Sequence, residues 1–169
     1  VIAYNQGIEL MPDNYVAWLG KGKALAQQGK AQAALAALER TLQIYPQSYR
    51  AWQGKGMVYQ KQNNLTKAIA SYNRAIEINP DDSSLWRDLG IALNLQREYT
   101  QAIKSFSKAV ELSPYNVQAW QELAIAWSAL GKDDQAISAI DRNAVTITKI
   151  QRFKPFVQSL LVEIGRAHV

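Results

Sequence analysis

Apolar and small residues recur at three- and four-residue spacing along most of the chain, which is the signature of a helix with one packed face. From about Tyr15 to Gln28 that face is Trp18, Gly22 and Leu25. The same face returns every 34 residues, marked by Trp18, Trp52, Trp86 and Trp120. Gly22, Gly56, Gly90 and Ala124 follow four residues later, then Leu25, Tyr59, Leu93 and Trp127. Each period carries a second face, with Ala34, Ala68, Ala102 and Ala136 ahead of Leu38, Tyr72, Phe106 and Ile140. The spacing therefore predicts two helices per period. Gly29 and Gly131 suit the positive φ that closes a first helix. Asn63-Asn64 and Asp133-Asp134 offer acceptors to the free N–H groups that open a second one. The second helices are expected to stop near Ile44, Ile78 and Leu112, ahead of Pro46, Pro80 and Pro114, because proline cannot continue a helix. Two residues past each proline stands a capping type, Ser48, Asp82 or Asn116, and Pro12 with Asn14 repeats the arrangement upstream.

These marks divide the chain into repeats at 15–48, 49–82, 83–116 and a degenerate 117–150. In the last, glycine has become Ala124, the small residue has become Asn143 and proline has become Thr148. Residues 1–14 match the second half of a repeat: Tyr4 to Glu9 mirror Tyr72 to Glu77. They are expected to form the second helix of a truncated preceding unit. Pro155, Phe156, Leu160, Leu161 and Ile164 leave two readings for 151–163, a capping helix or a decayed repeat. Residues 164–169 read as an in-frame translation of a sequencing adapter, so they are expected to be a non-native tail and the single His168 enters no mechanism. Both ends of the chain read as cut.

The Trp-x3-Gly, Ala-x3-aromatic and terminal proline positions resemble the tetratricopeptide repeat family, in a bacterial-type tandem array covering 15–150. Pentatricopeptide units run one residue longer and lack this set of residues. The resemblance implies an all-α fold, a right-handed superhelical solenoid of antiparallel helix-turn-helix pairs. It also implies a concave face, lined mainly by the first helix of each unit, that grips extended peptides or partner helices.

Composition narrows the chemistry. The 169 residues include no Cys and one His, which excludes disulfides, thiolate catalysis and a multi-histidine metal centre. No apolar stretch is long enough to span a membrane, and a cytoplasmic location is expected. Asp81-Asp82 and Asp133-Asp134 fall at helix starts, where acids complement the positive end. The Gly20-Lys21-Gly22 and Gly54-Lys55-Gly56 pairs recur with the repeat and lack the strand of a phosphate loop. The chain is expected to be no enzyme and to need no cofactor or metal.

What remains is a surface. By the resemblance, the groove positions are Lys23 and Gln27, then Arg50, Gln53, Met57 and Lys61. Arg87, Ile91 and Asn94 follow, then Gln118, Gln121 and Ile125. Val16, Leu19, Ala26, Gln60, Ser84, Leu95, Ser128 and Ala129 share those rows. The implied function is a non-catalytic scaffold for protein or peptide segments, or alternatively a regulatory or substrate-recruiting region of a larger enzyme or signalling protein. The family's clamp for acidic chaperone tails is not expected, because its positions hold Leu19, Lys23, Gly54, Ser84 and Asp88. The net charge of +5 is graded: the four repeats carry +3, +2, +1 and −1. An acidic partner would thus favour the N-terminal repeats. No nucleic acid is expected, since no basic stripe with interleaved surface aromatics appears. Ile2, Tyr4 and Ile8 are expected to expose an apolar face that permits self-association.

Overall fold

A computed structural model describes residues 1–143 of the chain. The expectations for 144–150, for the 151–163 segment and for the 164–169 tail lie outside the described residues. Eight helices run in order: α1 (Ile2–Leu10), α2 (Tyr15–Gln27), α3 (Ala31–Ile44), α4 (Tyr49–Lys61), α5 (Leu65–Ile78), α6 (Ser83–Leu95), α7 (Tyr99–Leu112) and α8 (Val117–Ala129). A ninth, α9, covers 133–143 of the described residues, among which there is no strand.

Local chemistry sets the boundaries. The residue two past each proline is the cap of a first helix. The Asn14 side chain accepts from the Val16 and Ala17 N–H groups at 3.1 and 3.2 Å. Ser48 accepts from Ala51 at 3.3 Å, Asp82 from Ser84 at 2.9 Å and Asn116 from Ala119 at 3.1 Å. The turn inside each repeat needs one left-handed residue, supplied by Gly29, Asn63, Arg97 and Gly131 at φ between 57° and 75°. Asn63 is therefore a turn residue, and only Asn64 of that pair caps, accepting from the Lys67 N–H at 3.2 Å. Asp133 and Asp134 also differ from expectation. They lie in the first turn of α9, where carboxylates complement the helix end without being its cap.

The helices form a solenoid of stacked antiparallel pairs. Within a repeat α2 packs on α3, α4 on α5 and α6 on α7, and each second helix packs on the first helix of the next unit. First helices also meet one another, α2 with α4, α4 with α6 and α6 with α8. No Cα of α3 comes within 8 Å of α5, nor any of α5 within 8 Å of α7. The stack therefore curves with the first helices on its inner side. Close approach inside each pair depends on glycine. A Cβ on Gly22 would stand 2.8 Å from Leu38, one on Gly56 2.5 Å from the Tyr72 ring and one on Gly90 2.6 Å from the Phe106 ring. Leu38, Tyr72 and Phe106 are buried, as are Ala34, Ala68 and Ala102 beside them. Burying each large side chain contributes about 1.5–3 kcal/mol.

The tryptophans are half-buried knobs that tie successive units together. They pack against the two core clusters. The indole N–H of Trp18, Trp86 and Trp120 donates to the carbonyl of Pro12, Pro80 and Pro114 at 2.8, 2.7 and 2.9 Å. Trp52 makes no such bond: its Nε1 is buried without an acceptor.

Candidate peptide-binding groove

The inner face is built from the first helices, and the expected groove residues divide into three groups there. The first group surrounds a pocket of roughly 190 Å³ between α2 and α4. Its floor is Leu38 and Gly54, and Ala26 and Met57 form apolar walls. Gln27 and Gln53 bring side-chain amides, and Lys23 and Lys61 stand on the rim. Both lysines are exposed. Among the described residues neither has a carboxylate within 4.0 Å. Lys55, by contrast, is committed elsewhere, bonded to Glu39 at 3.2 Å with its ammonium 5.1 Å from the Trp52 ring centroid. Met57 is 49% exposed, so an apolar side chain is presented to solvent at this point.

The second group is a polar ladder running from one first helix to the next. Gln53 Nε2 donates to Asp88 Oδ2 at 2.7 Å and lies 3.4 Å from Ser84 Oγ. Ser84 Oγ donates to Asp82 Oδ1 at 2.6 Å. Arg87 donates to Gln118 Oε1 at 2.9 Å and pairs with Asp88 at 3.4 Å. Burial pushes the Asp88 carboxyl above its ordinary pKa, opposed by the Gln53 hydrogen bond and the Arg87 charge. Burial and the nearby Asp88 charge together hold the Tyr72 phenol up, so it stays neutral. Its hydroxyl lies 3.0 Å from Gln60 Oε1 and donates to it. The ladder engages Gln53 with Asp88 and Arg87 with both Asp88 and Gln118, leaving less of them for a ligand.

The third group stands apart. Arg50 is exposed, with its Nε donating to the Tyr49 hydroxyl at 3.1 Å. Ile91 is half-buried and packs against the core, and Asn94 is half-buried with its Oδ1 unpartnered. Gln121 and Ile125 line a wider pocket of about 800 Å³ with Ile137 and Ile140 of α9. Ile140 is 54% exposed, whereas its repeat equivalents Leu38, Tyr72 and Phe106 are buried, so that pocket opens on the end face of the last described unit. Sequence reasoning missed Leu38 as part of the inner face, and it placed Gly54 and Asp88 there only as clamp positions without the clamp's residues. Their signal was present as repeat positions, but it is a signal of pairs across a unit boundary.

A family model described as the tetratricopeptide repeat matches residues 25–90 and 93–142. The chain belongs to the tetratricopeptide repeat family. Among solved structures it is similar to one described as the crystal structure of MamA, at 22% identity and a TM-score of 0.81, covering 89% of this chain and 88% of that one. MamA residues 41 to the end from Desulfovibrio magneticus RS-1 match at 20% identity and a TM-score of 0.78, over 86% of this chain and 82% of that one. No curated protein matches by sequence. In all, 349 solved chains match, so the likeness fixes the fold and leaves the partner to the chemistry of the surface.

Tetratricopeptide repeat arrays are generally non-catalytic scaffolds for other proteins. Among the described residues no three His, Asp or Glu side chains gather where they could hold a metal. No described helix is long and apolar enough to cross a membrane.

Proposed function

We propose that this repeat array is a non-catalytic scaffold that holds an extended protein segment along its inner face, with acidic segments preferred over α2 and α4. One observation carries the reading. Lys23 and Gln27 from one unit, and Gln53, Met57 and Lys61 from the next, converge on a single inner-face pocket. The Gln27 side-chain amide there can bond a peptide backbone, and the two ammonium groups can meet carboxylates. The charge gradient works in the same direction, since the first two full repeats carry +3 and +2.

The test is charge reversal on the face. Lys23→Glu, Arg50→Glu and Lys61→Glu combined should abolish capture of acidic peptides while far-UV circular dichroism stays unchanged. Binding to the unaltered chain should also weaken as salt rises. Acidic-peptide binding that survives the triple reversal would remove the assignment.

A further inference from the structure

The pocket between α2 and α4 lies at a boundary that the repeat sets apart from the others. Two residues after each marker tryptophan stand Gly20, Gly54, Asp88 and Glu122. Each of these positions faces a large residue of the preceding second helix, buried in all but the first, where Tyr4 is 39% exposed. The facing pairs, in chain order, are Tyr4 with Gly20, Leu38 with Gly54, Tyr72 with Asp88 and, by the repeat, Phe106 with Glu122. Three of the four boundaries hold an aromatic ring. At the first the Tyr4 ring takes the space where a Cβ on Gly20 would sit. At the third Asp88 fills the glycine's place. At the second, Leu38 is buried and stands 3.1 Å from where a Cβ on Gly54 would sit, and beside this pair lies the cavity of roughly 190 Å³. An apolar cavity of about 150 Å³ is large enough to hold benzene, so this one accommodates an aliphatic side chain.

We propose that this pocket is a specificity site that takes one leucine-sized aliphatic side chain from an acidic protein segment. The proposal rests on the groove reading above and deepens it. Three features point to this occupant. The floor and walls are Leu38, Gly54, Ala26 and Met57, which match an aliphatic group and offer a charged one no partner. The rim is Lys23 and Lys61, which have no carboxylate of their own among the described residues. Gln27 flanks the opening, where the amides of an extended backbone would pass, while Gln53 beside it is held by Asp88. Carboxylates on either side of the buried residue then meet the lysines while its side chain leaves water.

The chain contains two methionines, Met11 on α1's end and Met57 in the pocket wall, which makes a built-in reporter and control. With ¹³C-methyl-methionine label on the full chain, the probes are Ac-Asp-Asp-Leu-Asp-Asp-NH2, its Leu-to-Ser analogue and Ac-Lys-Lys-Leu-Lys-Lys-NH2. The Leu acidic peptide should shift the Met57 methyl saturably and leave Met11 unmoved. It should bind roughly tenfold tighter than the Ser analogue, and the basic peptide should give no shift. Leu38→Phe restores the aromatic found at the neighbouring boundaries and so fills the pocket without foreign chemistry. That variant should keep its helicity and lose the Leu-over-Ser preference. Equal binding of Leu and Ser peptides that still vanishes with Lys23→Glu and Lys61→Glu would overturn the pocket and leave the groove standing. No Met57 response to any of the peptides would overturn both.

Discussion

Two residues show how one repeat position takes different energetic roles. Trp86 donates its indole N–H to Pro80, whereas the Trp52 N–H is buried with no acceptor. A net hydrogen bond contributes about 0.5–1.5 kcal/mol, and an unmade one costs its desolvation. Trp86→Phe should therefore destabilise the chain by about 1 kcal/mol more than Trp52→Phe, measured by urea unfolding. Asp88 carries the second prediction. Its folded carboxyl holds a proton to higher pH than the unfolded one, because burial outweighs Gln53 and Arg87. Between the unfolded and folded pKa the native state binds more protons, so stability falls as pH rises there. Asp88→Asn keeps an acceptor for Gln53 and removes the titration. The stability of the unaltered chain relative to Asp88→Asn should thus decline as pH climbs from below 3.8 through the raised value, in unfolding curves taken across that range. A difference that grows with pH would show that Arg87 and Gln53 win over burial.

At the scale of the element, the helices are set by their ends. The four first-helix caps came directly from the sequence, because a side chain two residues past a proline reaches only its own next turn. The inner turns are less uniform. Gly29 and Gly131 take the left-handed conformation freely, but Arg97 adopts φ 65° with a side chain that resists it. Arg97→Gly should raise stability by about 0.5–1 kcal/mol, read from the unfolding midpoint. The helix ends at Ile44, Ile78 and Leu112 were legible for the same local reason as the caps. Asn63 was not legible as a turn residue, since asparagine serves equally as a cap and as a left-handed residue. Only the chain path beyond it decides between them.

For the whole molecule, stability is a chain of neighbouring interfaces. Among helices α1 to α8, α7 touches α6 and α8 and reaches no other. Ala102 is fully buried in α7, so Ala102→Leu overpacks that layer by about 1–3 kcal/mol. Native-state hydrogen exchange should quicken in α6, α7 and α8 while protection in α2 and α3 stays as it was. Uniform loss of protection would mean that the array opens as one unit. The same neighbour-only architecture makes the inner face modular. The pocket at Leu38 and Gly54 and the ladder through Gln53, Asp88 and Arg87 are consecutive but chemically distinct sections of it.

The sequence by itself determined the period, the two helices in each unit, their caps and the buried row of Leu38, Tyr72 and Phe106. Those features follow from contacts within a few residues or from a repeating apolar face, and both are written in spacing. Through the resemblance it also named Lys23, Gln27, Gln53, Met57 and Lys61 as groove candidates. The tertiary structure alone decided that these five close around one cavity while Arg87 and Gln118 bond to each other. The reason is that a repeat boundary pairs two residues 16 apart in the chain, as Leu38 and Gly54 are. How such a pair packs depends on both volumes at once, and periodicity along a single row does not report that.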